Sequence, residues 1–503
     1  MTRNALFYSG GMLVLAGVLA STSIVFQSPV LSLLCLTPLF LYQFERKKIT
    51  LFQGSVFAFI LAAILFFWMI QGVGRFTGSQ TAYGLSAFLI SCILFSVYWG
   101  SFVFLASSLH ARFYHLSASV GASFVAALWV LGEEAFVLLT RQLPWFGFRT
   151  GFGLSSNLYA VQYASLAGMG AISFAVVFLS YYVARVVYDK KRARLLVPAF
   201  AFILFLFFGW LILQFHEQRM IRRHPVTIAI ASQNIDPETV WNETTGNMLA
   251  AQIIRLSERA AASKPDITLW SESILPWTFR EDDDLTKEII KRADGREQLI
   301  GINTAYSENE VYNSVYYLNT QGVAAGFYHK RFPLAFIETP VANFIFPFLS
   351  GGGYKVKKGN LPGVIATAHG RVGMMICNES AIPKLATELV KNGADFLANV
   401  SNDGWFSETF LADAHMQQAR LRAVETRRDM VVNSNQGYSG LIGASGRIKQ
   451  RFKSQSPVVE TVEIEKSNYL SFYARFRYFF PLTCITVLLL VFLKHSLHKK
   501  TFE

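Results

Sequence analysis

The chain has 503 residues, of which 52% are hydrophobic and 16% are charged. It is long enough for more than one domain, and it is too apolar for a protein that is soluble throughout. The net charge of +13 does not indicate nucleic-acid binding, because no zinc-finger spacing, glycine-rich phosphate loop or base-reading basic stripe accompanies it.

Apolar segments that are long enough, or nearly so, to cross about 30 Å of hydrocarbon occupy both ends of the chain. They cover residues 5–26, 28–44, 50–72, 83–108, 118–140, 163–187, 195–215 and 477–494. We predict an integral membrane α-helical bundle of about eight spans. Residues 1–215 would hold about seven spans, and residues 477–503 the last span and a short cytoplasmic tail. Residues 216–476 then form a separate domain.

Lysine and arginine in the short connections predict the orientation of this bundle. If the N-terminus is cytoplasmic, the outer short connections hold Arg75, Arg141 and Arg149. The cytoplasmic side then holds a much larger set, which comprises Arg3, Arg46, Lys47, Lys48, Arg112, Arg185, Lys190, Lys191, Arg192, Arg194, Lys494, Lys499 and Lys500. We therefore expect both termini in the cytoplasm and residues 216–476 outside it.

The outer domain alternates between strand and helix patterns. Helical apolar spacing occurs at residues 247–264, 285–294, 382–393 and 415–428. β-Branched or alternating segments, several of them hairpins, occur at residues 226–235, 266–273, 297–307, 311–330, 363–380, 394–403 and 430–450. This alternation predicts one α/β domain with a mixed sheet.

The cysteines are distributed unevenly. Cys35, Cys92 and Cys484 lie in predicted spans, where cysteine behaves as a small hydrophobic residue. Cys377 is the only cysteine of the outer domain. An unpaired thiol in an oxidising compartment is a liability unless it is used or well buried.

Three polar residues stand at the ends of predicted strands: Glu272, Lys330 and Cys377. A thiol is a poor nucleophile until it is deprotonated, so a catalytic cysteine needs a base and a cation nearby. A glutamate can take the proton, and a lysine can lower the thiol pKa and hold a developing oxyanion. Cys377 alone would suggest a buried apolar cysteine, but its two partners favour a nucleophile.

These residues and their surroundings carry a resemblance to a known family. The order Glu-Lys-Cys, within "WSES", "YHKRFPLAFIE" and "ICNES", resembles the carbon-nitrogen hydrolase (nitrilase) superfamily. With spans on both sides, the chain is similar to the membrane-bound branch of that superfamily, the apolipoprotein N-acyltransferases. The segments "IASQNI", "SNDGWF" and "QQARLRAVE" also match. The resemblance implies a nitrilase-like α-β-β-α sandwich on the periplasmic side of a bacterial inner (cytoplasmic) membrane.

The resemblance implies roles for individual residues. Glu272 matches the general base, Lys330 the cation that steadies the tetrahedral intermediate, and Cys377 the nucleophile. Glu338 matches a second glutamate that supports the lysine. Glu379 matches a further acidic residue needed near the nucleophile.

Other positions match less closely. Trp241 matches an aromatic residue on a mobile loop over the site. The family usually has a proline where this chain has Ser271, and an aromatic residue where it has Asn378. It usually has "VPFGE" where this chain has "LAFIE", residues 334–338. These departures leave every catalytic atom in place, so they bear on loop shape and acyl specificity.

The resemblance implies a two-step acyl transfer through a cysteine thioester. The donor would be a phospholipid and the acceptor a diacylated apolipoprotein, and we expect a monomer without nucleic acid, cofactor or metal. No His, Cys or carboxylate spacing suggests a metal site, and His415 is expected to begin a helix. Residues 341–354 could form a lid or a loop that packs on the spans. The alternatives are a membrane-tethered amidase or nitrilase that hydrolyses a small amide, and a non-catalytic membrane protein.

Overall fold

The computed structural model describes residues 3–78, 80–113, 116–219, 225–280, 282–342, 344–345 and 355–500. The N-terminal part is helical, because a helix satisfies the backbone hydrogen bonds of an apolar run internally. Its helices are α1 (Arg3–Phe26), α2 (Pro29–Leu34), α3 (Thr37–Arg46), α4 (Leu51–Phe66), α5 (Trp68–Phe76), α6 (Thr81–His110), α7 (Ala118–Leu139), α8 (Ala164–Tyr188) and α9 (Leu196–Arg219).

Four helices of the described part are long and apolar enough to cross a membrane, namely Thr81–Phe113, Ala118–Leu139, Ala160–Tyr188 and Ala193–Gln218. There are up to five such spans if α4 and α5, which meet at an angle of 48°, form one broken span. The segments Gly10–Phe26 and Phe479–His495 are shorter apolar helices. The predicted count of about eight spans is therefore not confirmed.

The apolar segment at residues 28–44 does not form a single helix. It folds as α2 and α3, which have 6 and 10 residues. Pro29 and Pro38 each stand near the start of one of these helices. Proline lacks a backbone N–H and its ring clashes with the carbonyl four residues earlier, so α2 cannot continue through Pro38.

The rest of the chain alternates strands and helices. Its elements are β1 (Val226–Ser232), α10 (Glu243–Ala262), β2 (Ile267–Trp270), α11 (Asp284–Arg292), β3 (Glu297–Gly301), β4 (Thr304–Ser307), β5 (Glu310–Tyr312), β6 (Ser314–Leu318), β7 (Ala324–His329), β8 (Lys355–Val356), β9 (Val364–Thr367), β10 (Gly370–Ile376), α12 (Pro383–Lys391), β11 (Phe396–Asn402), α13 (Phe410–Thr426), β12 (Met430–Asn435), β13 (Tyr438–Ile442), β14 (Ile448–Lys453), β15 (Val458–Ile464), α14 (Phe472–Arg475) and α15 (Phe479–Lys500).

Two six-stranded sheets form the centre of this domain, with strand orders β15-β1-β2-β3-β6-β7 and β14-β13-β12-β11-β10-β9. Within each sheet the central pairs are parallel and the outer pairs are antiparallel. The mixed character that the strand and hairpin patterns predicted is confirmed. A third sheet, β4-β5-β8, has three short strands and was not predicted.

The two large sheets pack face to face. Their inner side chains share one buried core that includes Ile228, Leu269, Met374 and Val431. Helices α10 and α11 pack on the outer face of the first sheet, and α12 and α13 on that of the second. The layers are therefore α-β-β-α, and the nitrilase-like sandwich that the resemblance implied is confirmed.

Helix α13 fixes the sandwich on the membrane helices through buried arginines. Arg420 donates to the carbonyl oxygens of Ser155 and Ser156 at 3.0 and 2.7 Å. Arg427, which follows α13, donates to Gln162 Oε1 at 2.9 Å and Ser165 Oγ at 2.8 Å. Buried polar groups need such partners, so these bonds favour one position of the sandwich on the bundle.

Candidate active site

The sandwich brings the three predicted strand-end residues to one cluster. Glu272 follows β2 and Lys330 follows β7 in one sheet, whereas Cys377 follows β10 in the other. Lys330 Nζ lies 3.7 Å from Glu272 Oε1 and donates to Glu338 Oε1 at 2.8 Å. Its side chain is fully buried, so its charge depends on these two carboxylates rather than on water.

Glu272 is held by a hydrogen bond to each carboxylate oxygen. Asn313 Nδ2 donates to Oε1 at 2.6 Å, and the backbone N–H of Asn402 donates to Oε2 at 2.8 Å. Asn313 stands between β5 and β6, and Asn402 ends β11, so both sheets orient this carboxylate. Donors to both oxygens stabilise the ionised form, which is the form that accepts a proton.

Glu338 lies at the end of the segment that follows Lys330, residues 331–338. Its second oxygen, Oε2, accepts the backbone N–H of Leu334 at 2.6 Å. The carboxylate thus joins the lysine head group to a turn of its own chain. The contact fits the supporting position that the resemblance implied for Glu338, while its catalytic importance stays a prediction.

Glu379 connects the segment after Lys330 to the end of β10, next to Cys377. Oε1 accepts the backbone N–H groups of Arg331 and Phe332 at 2.7 and 3.1 Å, and Oε2 accepts that of Ile376 at 2.9 Å. The Tyr328 hydroxyl lies 2.9 Å from both oxygens. Glu379 therefore holds the residues beside Lys330 and Cys377 at a fixed separation, without lining the cavity itself.

Cys377 has an unusual backbone conformation. Its φ is 55°, in the left-handed region, and it begins a short 3-10 helix, Cys377–Ala381. This conformation is costly for a residue with a Cβ and persists only where the surroundings impose it. The next residue, Asn378, donates from Nδ2 to the Phe332 carbonyl at 2.9 Å. This bond connects the turn at Cys377 to the segment that follows Lys330.

One cavity of about 440 Å³ reaches this cluster. Glu272, Glu338 and Cys377 line it together with Asn378 and Trp241, which is 38% exposed. Residues of the membrane part line it as well, namely Trp68, Gly72, Val73 and Phe76 of α5 and Pro144, Trp145 and Phe148 after α7. The cavity thus joins this polar cluster to an apolar wall that α5 and the connection after α7 supply.

Burial and charge together set the protonation of the cluster. Burial raises the pKa of Glu272, and the Lys330 ammonium opposes this. Burial and the Glu272 carboxylate raise the pKa of the Cys377 thiol, against Lys330. Burial disfavours charge on Lys330, but Glu338 and its other neighbours outweigh this and raise the pKa of the lysine. The resting site therefore holds a neutral thiol, an ammonium, and a carboxylate with increased proton affinity.

The resemblance implies that Cys377 is acylated with Glu272 as the base, and the rate of this step should fall at a higher pH than the ordinary pKa of a glutamate predicts. Burial raises the pKa of Glu272 above 4.5 and that of Glu379 to about 6. As the pH falls, Glu272 takes up a proton and can no longer act as a base, and Glu379 loses the charge that holds its backbone donors. We expect a falling limb with its midpoint above pH 4.5, measured as the initial rate of adduct formation between pH 4.5 and 8. A rate that stays constant down to pH 5 would contradict this, provided that the unfolding midpoint is unchanged.

Both parts of the chain are similar to known proteins. The family model of the apolipoprotein N-acyltransferase N-terminal domain matches residues 16–182, and that of the carbon-nitrogen hydrolases matches residues 227–465. The chain is 25% identical to the apolipoprotein N-acyltransferase of Geobacter metallireducens over 97% of this chain and 96% of that one. It is 26% identical to the apolipoprotein N-acyltransferase of Bdellovibrio bacteriovorus over 87% and 84%. A carbon-nitrogen hydrolase structure from Helicobacter pylori G27 is 15% identical, with a TM-score of 0.37 over 48% of this chain and 89% of that chain.

The sandwich fold and the clustered glutamate, lysine and cysteine define a carbon-nitrogen hydrolase domain, here joined to apolar helices of a bacterial membrane protein. The N-terminal match narrows this class. Both parts of the chain match the apolipoprotein N-acyltransferases, and the protein is an acyltransferase.

The sequence interpretation missed part of the site. Asn313 and Asn402 orient Glu272, whereas the sequence interpretation gives "SNDGWF", which contains Asn402, only as a matching segment. His415 does not begin a helix, since α13 begins at Phe410, and it lines the cavity. Of the predicted lid, residues 343 and 346–354 lie outside the described residues. Among the described residues, no group of three His, Cys, Asp or Glu side chains could hold a metal ion.

Proposed function

We propose that this acyltransferase moves a fatty acyl chain from a phospholipid to the α-amino group of the N-terminal diacylglyceryl-cysteine of apolipoproteins. One observation carries the proposal. The cavity that contains Glu272 and Cys377 is also lined by Trp68 and Phe76 of α5 and by Phe148. An apolar wall built from membrane helices suits a substrate whose chains lie in the bilayer, whereas a small water-soluble amide would not need it.

The first step loads the enzyme. Glu272 takes the proton of the Cys377 thiol, and Sγ attacks the ester carbonyl of the phospholipid. The Lys330 ammonium stabilises the negative charge that develops on the carbonyl oxygen. The C–O bond then breaks, the thioester remains on Cys377, and the lysophospholipid oxygen leaves with the proton held by Glu272.

The second step discharges the thioester. The neutral α-amino group of the lipoprotein attacks the thioester carbonyl, and Glu272 takes a proton from the nitrogen. The C–S bond breaks, an amide forms, and the Cys377 thiolate recovers its proton from Glu272. Water would compete with the amine, so the apolar cavity wall protects the thioester.

We further propose the topology that the basic residues predict. Both termini would lie in the cytoplasm and the sandwich on the periplasmic side of a bacterial inner membrane, with about eight spans in all. This orientation is supported by the contrast between the basic cytoplasmic connections and the outer ones with Arg75, Arg141 and Arg149. It places the cavity where lipid-anchored lipoproteins occur, and we expect the protein to act as a monomer.

Intact mass spectrometry tests the acyl transfer directly. Purified protein mixed with phospholipid micelles should gain the mass of one acyl group, and Cys377→Ala should gain none. A diacylated lipopeptide added next should remove that mass and become triacylated. If wild type gains no adduct, or if Cys377→Ala gains the same one, the proposal is wrong. An adduct that water removes as fast as the lipopeptide does would favour the amidase alternative.

A further inference from the structure

His415 bridges two groups beside the nucleophile. Its Nδ1 lies 3.0 and 3.1 Å from the two carboxylate oxygens of Asp403, and its Nε2 lies 2.9 Å from the carbonyl oxygen of Cys377. The Ser380 hydroxyl also donates to this carbonyl, at the longer distance of 3.3 Å. The imidazole stands on α13 and lines the cavity, so one helix connects a buried acid to the backbone of the reactive residue.

Both ring nitrogens of His415 face oxygen atoms that can only accept. A neutral imidazole has one N–H, so either neutral tautomer would turn a nitrogen lone pair toward an acceptor. The imidazolium donates from both nitrogens and satisfies the Asp403 carboxylate and the Cys377 carbonyl together. The geometry therefore favours the cation, and Asp403, which is 1% exposed, supplies its counter-charge.

The carbonyl that His415 holds belongs to the residue with φ of 55°. On the preceding side, the Ile376 N–H is held by Glu379 Oε2 at 2.9 Å. The costly turn at Cys377 is thus fastened on both sides, by a carboxylate before it and by an imidazolium after it. Loss of the imidazolium would release the carbonyl and leave the Asp403 charge unpaired, and that charge raises the pKa of the Cys377 thiol.

We infer that His415 is a positioning residue for the nucleophile: as an imidazolium it bonds Asp403 and the Cys377 carbonyl, and so fixes the backbone and the charge around the thiol. This inference rests on the proposed role of Cys377. Two predictions separate it from a merely structural role. His415→Gln should slow the reactions of Cys377 without weakening lipid binding, and removal of the Asp403 charge as well should restore part of the rate.

The test measures two reactions of Cys377 in the full-length protein in detergent micelles. Alkylation by iodoacetamide, followed by intact mass, requires no lipid, whereas acylation by phospholipid reports the proposed chemistry. In His415→Gln both rates should fall about tenfold, the order expected when a hydrogen bond to a charged group is lost. The phospholipid concentration at half-maximal rate should stay within about twofold of wild type, because both ring nitrogens of His415 already bond Asp403 and the Cys377 carbonyl.

The double variant Asp403→Asn/His415→Gln should react at least about threefold faster than His415→Gln, since no unpaired charge then faces the thiol. Asp403→Asn alone should stay within about threefold of wild type, because an amide can donate to Nδ1 while Nε2–H still bonds the carbonyl. This variant keeps the inference testable if His415→Gln does not fold. His369→Gln is the matched control, because His369 pairs with Asp266 at 3.4 Å on the turn before β10, at the other end of the strand from Cys377.

Wild-type rates in His415→Gln, a double variant as slow as the single one, or a tenfold loss in Asp403→Asn would each overturn the inference. The alkylation measurement keeps the two proposals apart. If phospholipid forms no adduct on wild type while His415→Gln still slows alkylation, the acyl-transfer proposal fails and the role of His415 stands.

Discussion

A Glu272→Gln variant should form the acyl-enzyme about 10²–10⁴-fold more slowly than wild type, the range that general acid–base catalysis contributes. The glutamine has nearly the same shape but cannot accept the thiol proton. The thiol cannot compensate, because burial raises the pKa of Cys377 and keeps it protonated. The rate is measured as the first-order growth of the adduct mass at saturating phospholipid.

The free energy of unfolding of this variant should fall by no more than about 1–3 kcal/mol. A glutamine can accept one of the two bonds from Asn313 and Asn402, and the mismatch at the other costs about 1–3 kcal/mol. Part of this loss of stability is offset, because one of the two carboxylates around Lys330 loses its charge. Glu297→Gln is the matched control: Glu297 is also buried and accepts the Tyr317 hydroxyl at 2.7 Å, but it does not line the cavity. Equal rates for Glu272→Gln and this control would contradict the role of Glu272 as base.

The strand ends could be predicted from sequence because burial and polarity change sharply there. In β10 five consecutive residues before Cys377 are buried and apolar or glycine, and the polar run "CNES" follows. Such a pattern indicates the point where a strand leaves the core. The same reasoning applies to Glu272 after β2 and Lys330 after β7. The structure therefore reproduces these predictions, each of which depends only on where a single strand ends.

Contacts between distant segments could not be predicted in this way. The bonds of Glu272 to Asn313 and Asn402 join residues 41 and 130 positions apart. The His415 bridge depends on α13 beginning at Phe410 and not at the histidine itself; Thr409 caps this helix start, a signal that the sequence interpretation missed. Hydropathy also failed at α2 and α3, where Pro38 breaks an apolar run that is otherwise long enough to span.

Removal of the buried lysine should have the largest effect on stability. In Lys330→Met the largely buried carboxylates of Glu272 and Glu338 remain without the ammonium that lies 3.7 and 2.8 Å from them. Removing one partner of a buried ion pair costs about 3–5 kcal/mol, and we expect a loss of that order in the free energy of unfolding. Acylation should also fall below detection, since the oxyanion loses its cation.

A second substitution separates these two effects. In Lys330→Met/Glu338→Gln one buried charge is removed along with its partner, so more than about half of the lost stability should return. The acylation rate should not return, because no cation is restored. Denaturant unfolding in detergent micelles and intact mass measure the two quantities on the same samples. A double variant that is as unstable as Lys330→Met would show that the lysine stabilises the fold by packing rather than by charge. A double variant that regains acylation would show that the oxyanion does not depend on Lys330.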